Sequence, residues 1–323
     1  MSGTNPGNRA NSNLDRFAIG VDVGGTKIAA GLVALDSGAV LERRVIPTHA
    51  GRGGAAVLAD VVATAEALAA NASARGRQVC GVGIGVPELV DLAGNVASDH
   101  TIAWRGTPVR ERLEHLAPAV VESDVRAHAL AEARYGAGRP YQLFVFVTVG
   151  TGISCCLVQD GVPYAGAHGN ALVLASSPVT TTCTTCGTVL RPVLEEFGAG
   201  PALVERYNRL GGRRAERAED VLGAAVAGEA DARTIVATAG EALGVSVGWL
   251  VNVLDPQAVI VGGGLGLAGG LYWARFVVAT RAHIWADTSR DVPILTAELG
   301  PDAGLIGVAI AAGDAPRTTS ARR

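Results

Sequence analysis

The chain has 323 residues, long enough for two lobes with separate cores and a cleft between them. Its 27 Lys and Arg nearly balance 30 Asp and Glu, and no basic block marks a footprint for nucleic acid or an anionic membrane, so small molecules are the expected partners. With 43 glycines and few aromatics, the composition suits closely packed α/β layers.

Met1 to Arg16 is polar and lacks the basic-then-apolar order of a secretory signal, which predicts a disordered tail over residues 1–16 and a cytoplasmic location. The five cysteines then read as reduced thiols. Phe17 to Val23 predicts a strand that runs through Gly24-Gly25-Thr26 into a second strand from Lys27 to Leu35. A strand over Val40 to Ile46, an Ala-rich helix over Ala55 to Ala74 and a buried strand over Val79 to Val86 follow. After an irregular stretch, Pro108 to Leu116 predicts a short helix and Ala119 to Glu122 a strand.

Helical spacing returns from Asp124 to Gly136, and a second hairpin turns at Gly150-Thr151-Gly152 between Gln142 to Val149 and Ile153 to Val158. That run is the most apolar in the chain, but its glycines and hydroxyls break it, so no membrane helix is expected. Adjacent Cys155 and Cys156 would point to opposite faces of a strand as packing residues. Helices are predicted over Pro201 to Leu210, Ala218 to Ala227, Asp231 to Val253, Leu271 to His283 and Ala303 to Ala312. Strands are predicted over Ala258 to Val261, ahead of Gly262-Gly263-Gly264, and over Val292 to Thr296. The expected organisation is an N-terminal lobe over 17–122, a C-terminal lobe over 123–302, a helix over 303–313 packing back on the first lobe, and a loose tail over 314–323. The repeated hairpin suggests that the lobes are duplicates.

Three glycine turns each follow an apolar strand. Such turns let backbone N–H groups approach a phosphate closely, and a Thr hydroxyl adds a donor. Singly, each reads equally as a tight hairpin.

Asp22-Val-Gly-Gly-Thr-Lys, Gly81-Val-Gly-Ile-Gly-Val-Pro, Glu122-Ser-Asp-Val-Arg-Ala-His-Ala-Leu-Ala-Glu132, Gly150-Thr-Gly, Val259-Ile-Val-Gly-Gly-Gly and Gly300-Pro-Asp-Ala-Gly-Leu-Ile-Gly stand in an order that resembles the ROK family of bacterial sugar kinases and repressors. The match covers Phe17 to Ala312. It implies a two-lobed actin/hexokinase-like α/β fold and phosphoryl transfer from ATP, with Mg2+, to a sugar hydroxyl. The repressors' DNA-binding helix-turn-helix is not expected in the sixteen or so residues before the first strand. Relatives form dimers, which makes a homodimer an expectation.

Carried over by position, the resemblance makes Gly24, Gly25 and Thr26, with Lys27 beside them, the first phosphate loop. Gly150, Thr151 and Gly152 become the second, and Gly262, Gly263 and Gly264 the adenosine contact. Asp22 would sit near magnesium through water. Asp124 would be the general base, and as a residue opening a helix it reads equally as an N-cap. Glu195 matches a sugar-binding Glu.

Other positions depart from the family. Ser123 and Arg126 replace the Asn residues that flank the catalytic Asp, Glu88 replaces a Gly of the sugar loop, and His100 replaces an Asn. Leu172-Val-Leu-Ala-Ser176 stands where relatives carry Gly-Glu-x-Gly-His, so two sugar ligands are lost. Of the family's zinc ligands, only Cys183 and Cys186 are candidates, short of the four a structural site needs, and a zinc is not expected. Glu88, Ser123, His100 and Glu195 are the expected sugar contacts. The added carboxylate of Glu88 suggests an amino-hexose such as 3-amino-3-deoxyglucose (kanosamine) or glucosamine, its ammonium facing Glu88 and Glu195, with phosphorylation at the 6-hydroxyl. The bland alternative makes Glu88 a solvated loop residue. Glucose, mannose and N-acetylhexosamines are the competing substrates. A sugar-responsive regulator without catalysis and an acetate-kinase-like acyl phosphotransferase are the competing classes.

Overall fold

The architecture comes from a computed structural model, and the residues described are 16–182, 186–210 and 214–315. Five strands form the first sheet: β1 (Phe17–Val23), β2 (Lys27–Ala34), β3 (Ala39–Pro47), β4 (Val79–Val86) and β5 (Ala119–Ser123), with helix α1 (Gly54–Ala74) crossing between β3 and β4. Their order is β3-β2-β1-β4-β5, antiparallel on the hairpin side and parallel on the other. Helix α2 (Asp124–Tyr135) leads out of it.

The second sheet repeats this plan. After α2 come β6 (Leu143–Val149), β7 (Ile153–Gln159) and β8 (Val162–Pro163), then a two-stranded hairpin of β9 (Thr181–Thr182) and β10 (Val189–Leu190). Helices α3 (Leu194–Gly198), α4 (Gly200–Arg209), α5 (Ala218–Val226) and α6 (Ala230–Leu254) precede β11 (Ala258–Gly262), α7 (Gly270–Ala282) and β12 (Ile294–Thr296). The order β8-β7-β6-β11-β12 places an antiparallel hairpin beside parallel strands, as in the first sheet. The duplication read from the two glycine hairpins is therefore a duplication of sheet topology.

Helix α8 (Ala303–Asp314) returns to the first sheet and lies flush on it. A Cβ on Gly20 of β1 would fall 1.8 Å from the Leu305 carbonyl oxygen, so only glycine permits that approach. At its end Asp314 is helical and ion-paired to Arg134 at 2.6 Å, so the helix reaches past the expected start of the tail. Arg16 is bonded to the Gly313 carbonyl. The rest of the expected tails, residues 1–15 and 316–323, lies outside the described residues.

Helices α1 and α6 are long and apolar enough to cross a membrane by length and hydropathy. Their apolar residues instead fill lobe cores: Val57, Val61 and Leu68 under the first sheet, Ile235, Leu243 and Val251 under the second. Cys155 and Cys156 do point to opposite faces, Cys155 into the main C-terminal core and Cys156 toward Phe144 and Ile260. Burial pushes both thiols up to about 12, which leaves them inert at neutral pH.

One predicted helix is absent. Pro108 to Leu116 forms a series of turns, held by bonds such as Val109 N to Thr107 O and Leu113 N to Arg110 O in place of a continuous ladder. The short α3 and β8 to β10 fall in or beside the stretch read as irregular, because elements this brief carry no periodicity.

Candidate active site

Asp124 is the first residue of α2, directly after β5, so strand and helix together fix its backbone at the lobe junction. Its carboxylate is partly buried, and its Oδ1 accepts the Val125 N–H at 2.6 Å. Burial, and after it the negative charges of Asp22 and Glu88, raise its pKa to about 6. His128 and the Val125 N–H pull the other way.

Asp22 stands near the end of β1, paired in register with Gly85 of β4. Burial raises its pKa as well, and the charges of His128 and Lys27 oppose that rise. A Cβ placed on Gly304, at the start of α8, would lie 2.5 Å from Asp22 Oδ2 and 2.8 Å from His128 Cε1. Three elements, β1, α2 and α8, thus converge on one small volume.

His128 is the functional candidate that sequence reasoning passed over. Its Nδ1 lies 2.7 Å from the Asp124 carbonyl oxygen, which can only accept, so Nδ1 carries the proton. The ring stacks on Phe146 at 6.3 Å between centroids and 18° between planes. The signal was available: helical spacing puts residue 128 one turn after Asp124 on the same face.

The glycine turns are held chiefly by backbone bonds. In the first, Gly24 N–H donates to Lys27 O at 2.9 Å, and Thr48 clamps it through Oγ1 to Gly24 O at 2.6 Å and N–H to Thr26 O at 3.0 Å. Thr26 and Lys27 are exposed. In the second, Gly150 N–H donates to Gly152 O at 2.9 Å, and Gly150 O accepts the N–H of Gly200, the opening residue of α4, at 2.8 Å. Thr151 is exposed at its tip. The third turn joins the second: Leu265 and Gly266 both donate to Val149 O at 3.0 Å, and Gly263 takes a positive φ of 82°. Gly262 ends β11 buried, while Gly264 is exposed with its N–H beside Gly150. The second and third turns and the start of α4 are therefore tied together on one wall by their own backbone bonds.

The sugar-side expectations fare unevenly. Glu88 is only 3% exposed, and its carboxylate accepts from Ser98 Oγ and from the N–H groups of His100 at 2.8 Å, Thr101 at 2.6 Å and Ile102 at 2.8 Å. It is neither a solvated residue nor an open ligand, and the expected contact with a sugar ammonium is corrected: the carboxylate is consumed in folding its own loop. His100 presents an exposed side chain above that loop. Ser123 is 7% exposed, and its Oγ is buried without a hydrogen-bond partner among the described residues, next to Asp124. Glu195, on α3, uses Oε2 to accept the Ile153 N–H at 2.8 Å, which ties it to the Gly152 turn.

Leu172 takes a left-handed φ of 58°, an unusual state for a branched side chain. Ser176 donates to Val173 O at 2.8 Å. Cys186 is exposed with Sγ 3.3 Å from Thr188 Oγ1, and Cys183 lies outside the described residues. Among the described residues no three His, Cys, Asp or Glu side chains converge as metal ligands. Two buried carboxylates, Asp124 and the Asp22 whose charge raises its pKa, do suit a hard cation that keeps most of its water, as magnesium does.

The sequence pattern of the ROK family matches residues 18–315. The chain belongs to the ROK family. Among ROK proteins it is similar to a glucokinase of Streptomyces coelicolor, 29% identical over 313 residues that span 91% of this chain and 96% of the relative. The ROK hexokinase of Thermus thermophilus superposes with a TM-score of 0.75 at 30% identity, covering 92% of this chain and 97% of that one. A ROK glucokinase of Streptomyces griseus in complex with glucose and AMPPNP gives 0.75 at 29% identity, covering 92% and 99%. The fold is the two-lobed actin/hexokinase-like one.

Proposed function

We propose that this ATP-dependent sugar kinase phosphorylates a hexose at its 6-hydroxyl with Asp124 as general base. The observation that carries the reading is Asp124 itself, a carboxylate fixed by strand and helix at the lobe junction with a proton affinity raised to about 6, close to that of a working base. The sugar O–H gives its proton to Asp124, the freed oxygen bonds to the γ-phosphorus, and the bond to the β-phosphate oxygen breaks to release ADP. The turns at Gly24 to Lys27, Gly150 to Gly152 and Gly262 to Gly264 hold the nucleotide. Asp22 would hold Mg2+ through water, and that ion neutralises phosphate charge when it binds with ATP. Ser123, with an unspent hydroxyl beside Asp124, and Glu195 orient the sugar.

An amino-hexose such as kanosamine or glucosamine is the favoured acceptor, now on the field of the site in place of a contact. Glu88 and Asp22 are both felt at Asp124 through their negative charge, which makes this part of the cleft acidic. Glucose is the rival, since relatives are glucokinases. The test is ADP release with glucose, mannose, glucosamine, N-acetylglucosamine and kanosamine, with the product mapped by NMR. Amino sugars should give the highest kcat/KM, and Glu195→Gln should shrink their advantage. Glucose turning over as well as the amino sugars removes the amino-hexose reading and leaves a glucokinase. No turnover with any of the five removes the hexose reading.

A further inference from the structure

Arg126 lies two residues after Asp124 in the first turn of α2, and its side chain is only 8% exposed. Its guanidinium is spent in three directions. Nε donates to Glu122 Oε1 at 2.5 Å, Nη1 to the Gly169 carbonyl at 2.7 Å and Nη2 to the Val90 carbonyl at 2.9 Å. Val90 belongs to the N-terminal core, 1% exposed, in the loop that Glu88 folds. Gly169 belongs to the loop that follows β8 in the C-terminal lobe. One planar fork therefore bonds a carbonyl from each lobe.

The two loops also touch directly. Gly169 has a φ of 80°, and a Cβ there would fall 2.1 Å from Val90 O and 2.8 Å from the Asp91 Cα. The N-terminal loop is stiff where it is gripped. Asp91 accepts the N–H groups of Ala93 at 2.9 Å and Asn95 at 2.8 Å, four bonds converge on Glu88, and the Val90 backbone lies between the two. The chain crosses between lobes at Ser123-Asp124 and again where α8 returns. The Val90–Arg126–Gly169 bridge joins the lobes again without covalent bonds, at the end of the cleft away from the Tyr135–Leu35 and Arg43–Asp302 bonds.

We propose that Arg126 is a positioning residue that straps the loop after β4 to the C-terminal lobe, so that this end of the cleft is assembled before the sugar arrives. The inference rests on the reading of that cleft as the sugar site. A cleft that must close on its substrate spends binding energy on closure, whereas one already closed spends it on holding the sugar. Losing the strap should then raise the sugar KM and leave the chemical step at Asp124 nearly untouched.

The variants are Arg126→Gln and Arg126→Lys. Lysine keeps the charge beside Glu122 but has no planar fork to reach two carbonyls. Small-angle scattering of the sugar-free proteins should show both variants expanded by on the order of 1 Å, on a radius of gyration of about 20 Å for a chain this long. For the best acceptor of the sugar panel, KM should rise about tenfold, with kcat within about threefold of the native value. Unchanged radius and KM in both variants overturn the strap. Restoration by Lys overturns it too, by reducing Arg126 to the counter-ion of Glu122. Should neither variant fold, Gly169→Ala wedges the same contact, and a native radius and KM in that protein decide against the proposal. The scattering needs no sugar, so the strap can fail while the kinase reading stands, and the sugar panel can sink the kinase reading while the strap stands.

Discussion

At the proposed nucleotide end of the cleft, the groups offered to phosphate would be backbone amides of glycine turns, and the residues around them serve mainly to hold those turns in shape. At the proposed sugar end the charged side chains have found partners within the protein: Glu88 in its own loop, Arg126 in two loop carbonyls, Glu195 with one oxygen on the Gly152 turn. The first end therefore depends on backbone geometry that few sequences satisfy. The second depends on which of several possible partners each side chain selects. Removing a group at each end should separate the two kinds of dependence.

The largest effect belongs to Asp124, where both ends meet. Asp124→Asn should lower kcat by about 10²–10⁴-fold while ATP binding persists. The same change should stabilise the empty enzyme. The folded pKa of about 6 lies above the unfolded value of 3.8, so stability falls as pH rises between them and the deficit persists at neutral pH. Two pH units correspond to at most about 3 kcal/mol. Denaturant titration at pH 7 should show the variant as the more stable protein, and the gap should close below about pH 4. A variant no more stable at pH 7 contradicts the burial cost assigned to this carboxylate.

Gly304→Ala tests the crowding of the acidic pair. The new Cβ would sit 2.5 Å from Asp22 and is attached to helix backbone that cannot yield cheaply. A displacement of this order at a reacting centre costs about 10²-fold in rate. Native activity in that variant shows that Asp22 moves freely and plays no positional part. Glu88→Ala, by contrast, should act on stability. It strands three backbone N–H groups and a hydroxyl that now share one carboxylate, at a cost of about 3 kcal/mol or more in unfolding free energy. If instead the fold is intact and only amino-sugar selectivity changes, Glu88 is a ligand after all.

These contrasts follow what could be read from residues alone. The duplicated sheets were legible because each glycine hairpin is punctuated by apolar runs whose pattern needs no tertiary context, and the place of Asp124 at the start of a helix after a strand was legible from the change of spacing there. The fate of Glu88 was not. An added carboxylate in a loop looks the same whether it meets solvent, a ligand or four donors of its own chain, and only the backbone path from Ser98 to Ile102 decides. Arg126 shows the same limit, since its partners Val90 and Gly169 stand 36 and 43 residues away. Pro108 to Leu116 was misread because apolar spacing over so short a stretch does not require the continuous i to i−4 ladder of a helix.

The smallest effect is the most diagnostic of His128. If Asp124 acts as an ionised base, kcat/KM should climb with pH along a limb centred near 6, because protonation removes the acceptor. A positive charge at His128 lowers the pKa of Asp124 and, with it, that of Asp22. His128→Gln, which keeps a polar side chain but no charge, should therefore shift the limb toward higher pH by a fraction of a unit while the plateau rate changes little. A shift in the opposite direction would rule out the charge of His128 as an influence on Asp124. Packing alone would lower the plateau and leave the midpoint in place, so the direction and the height of the curve together assign the residue its part.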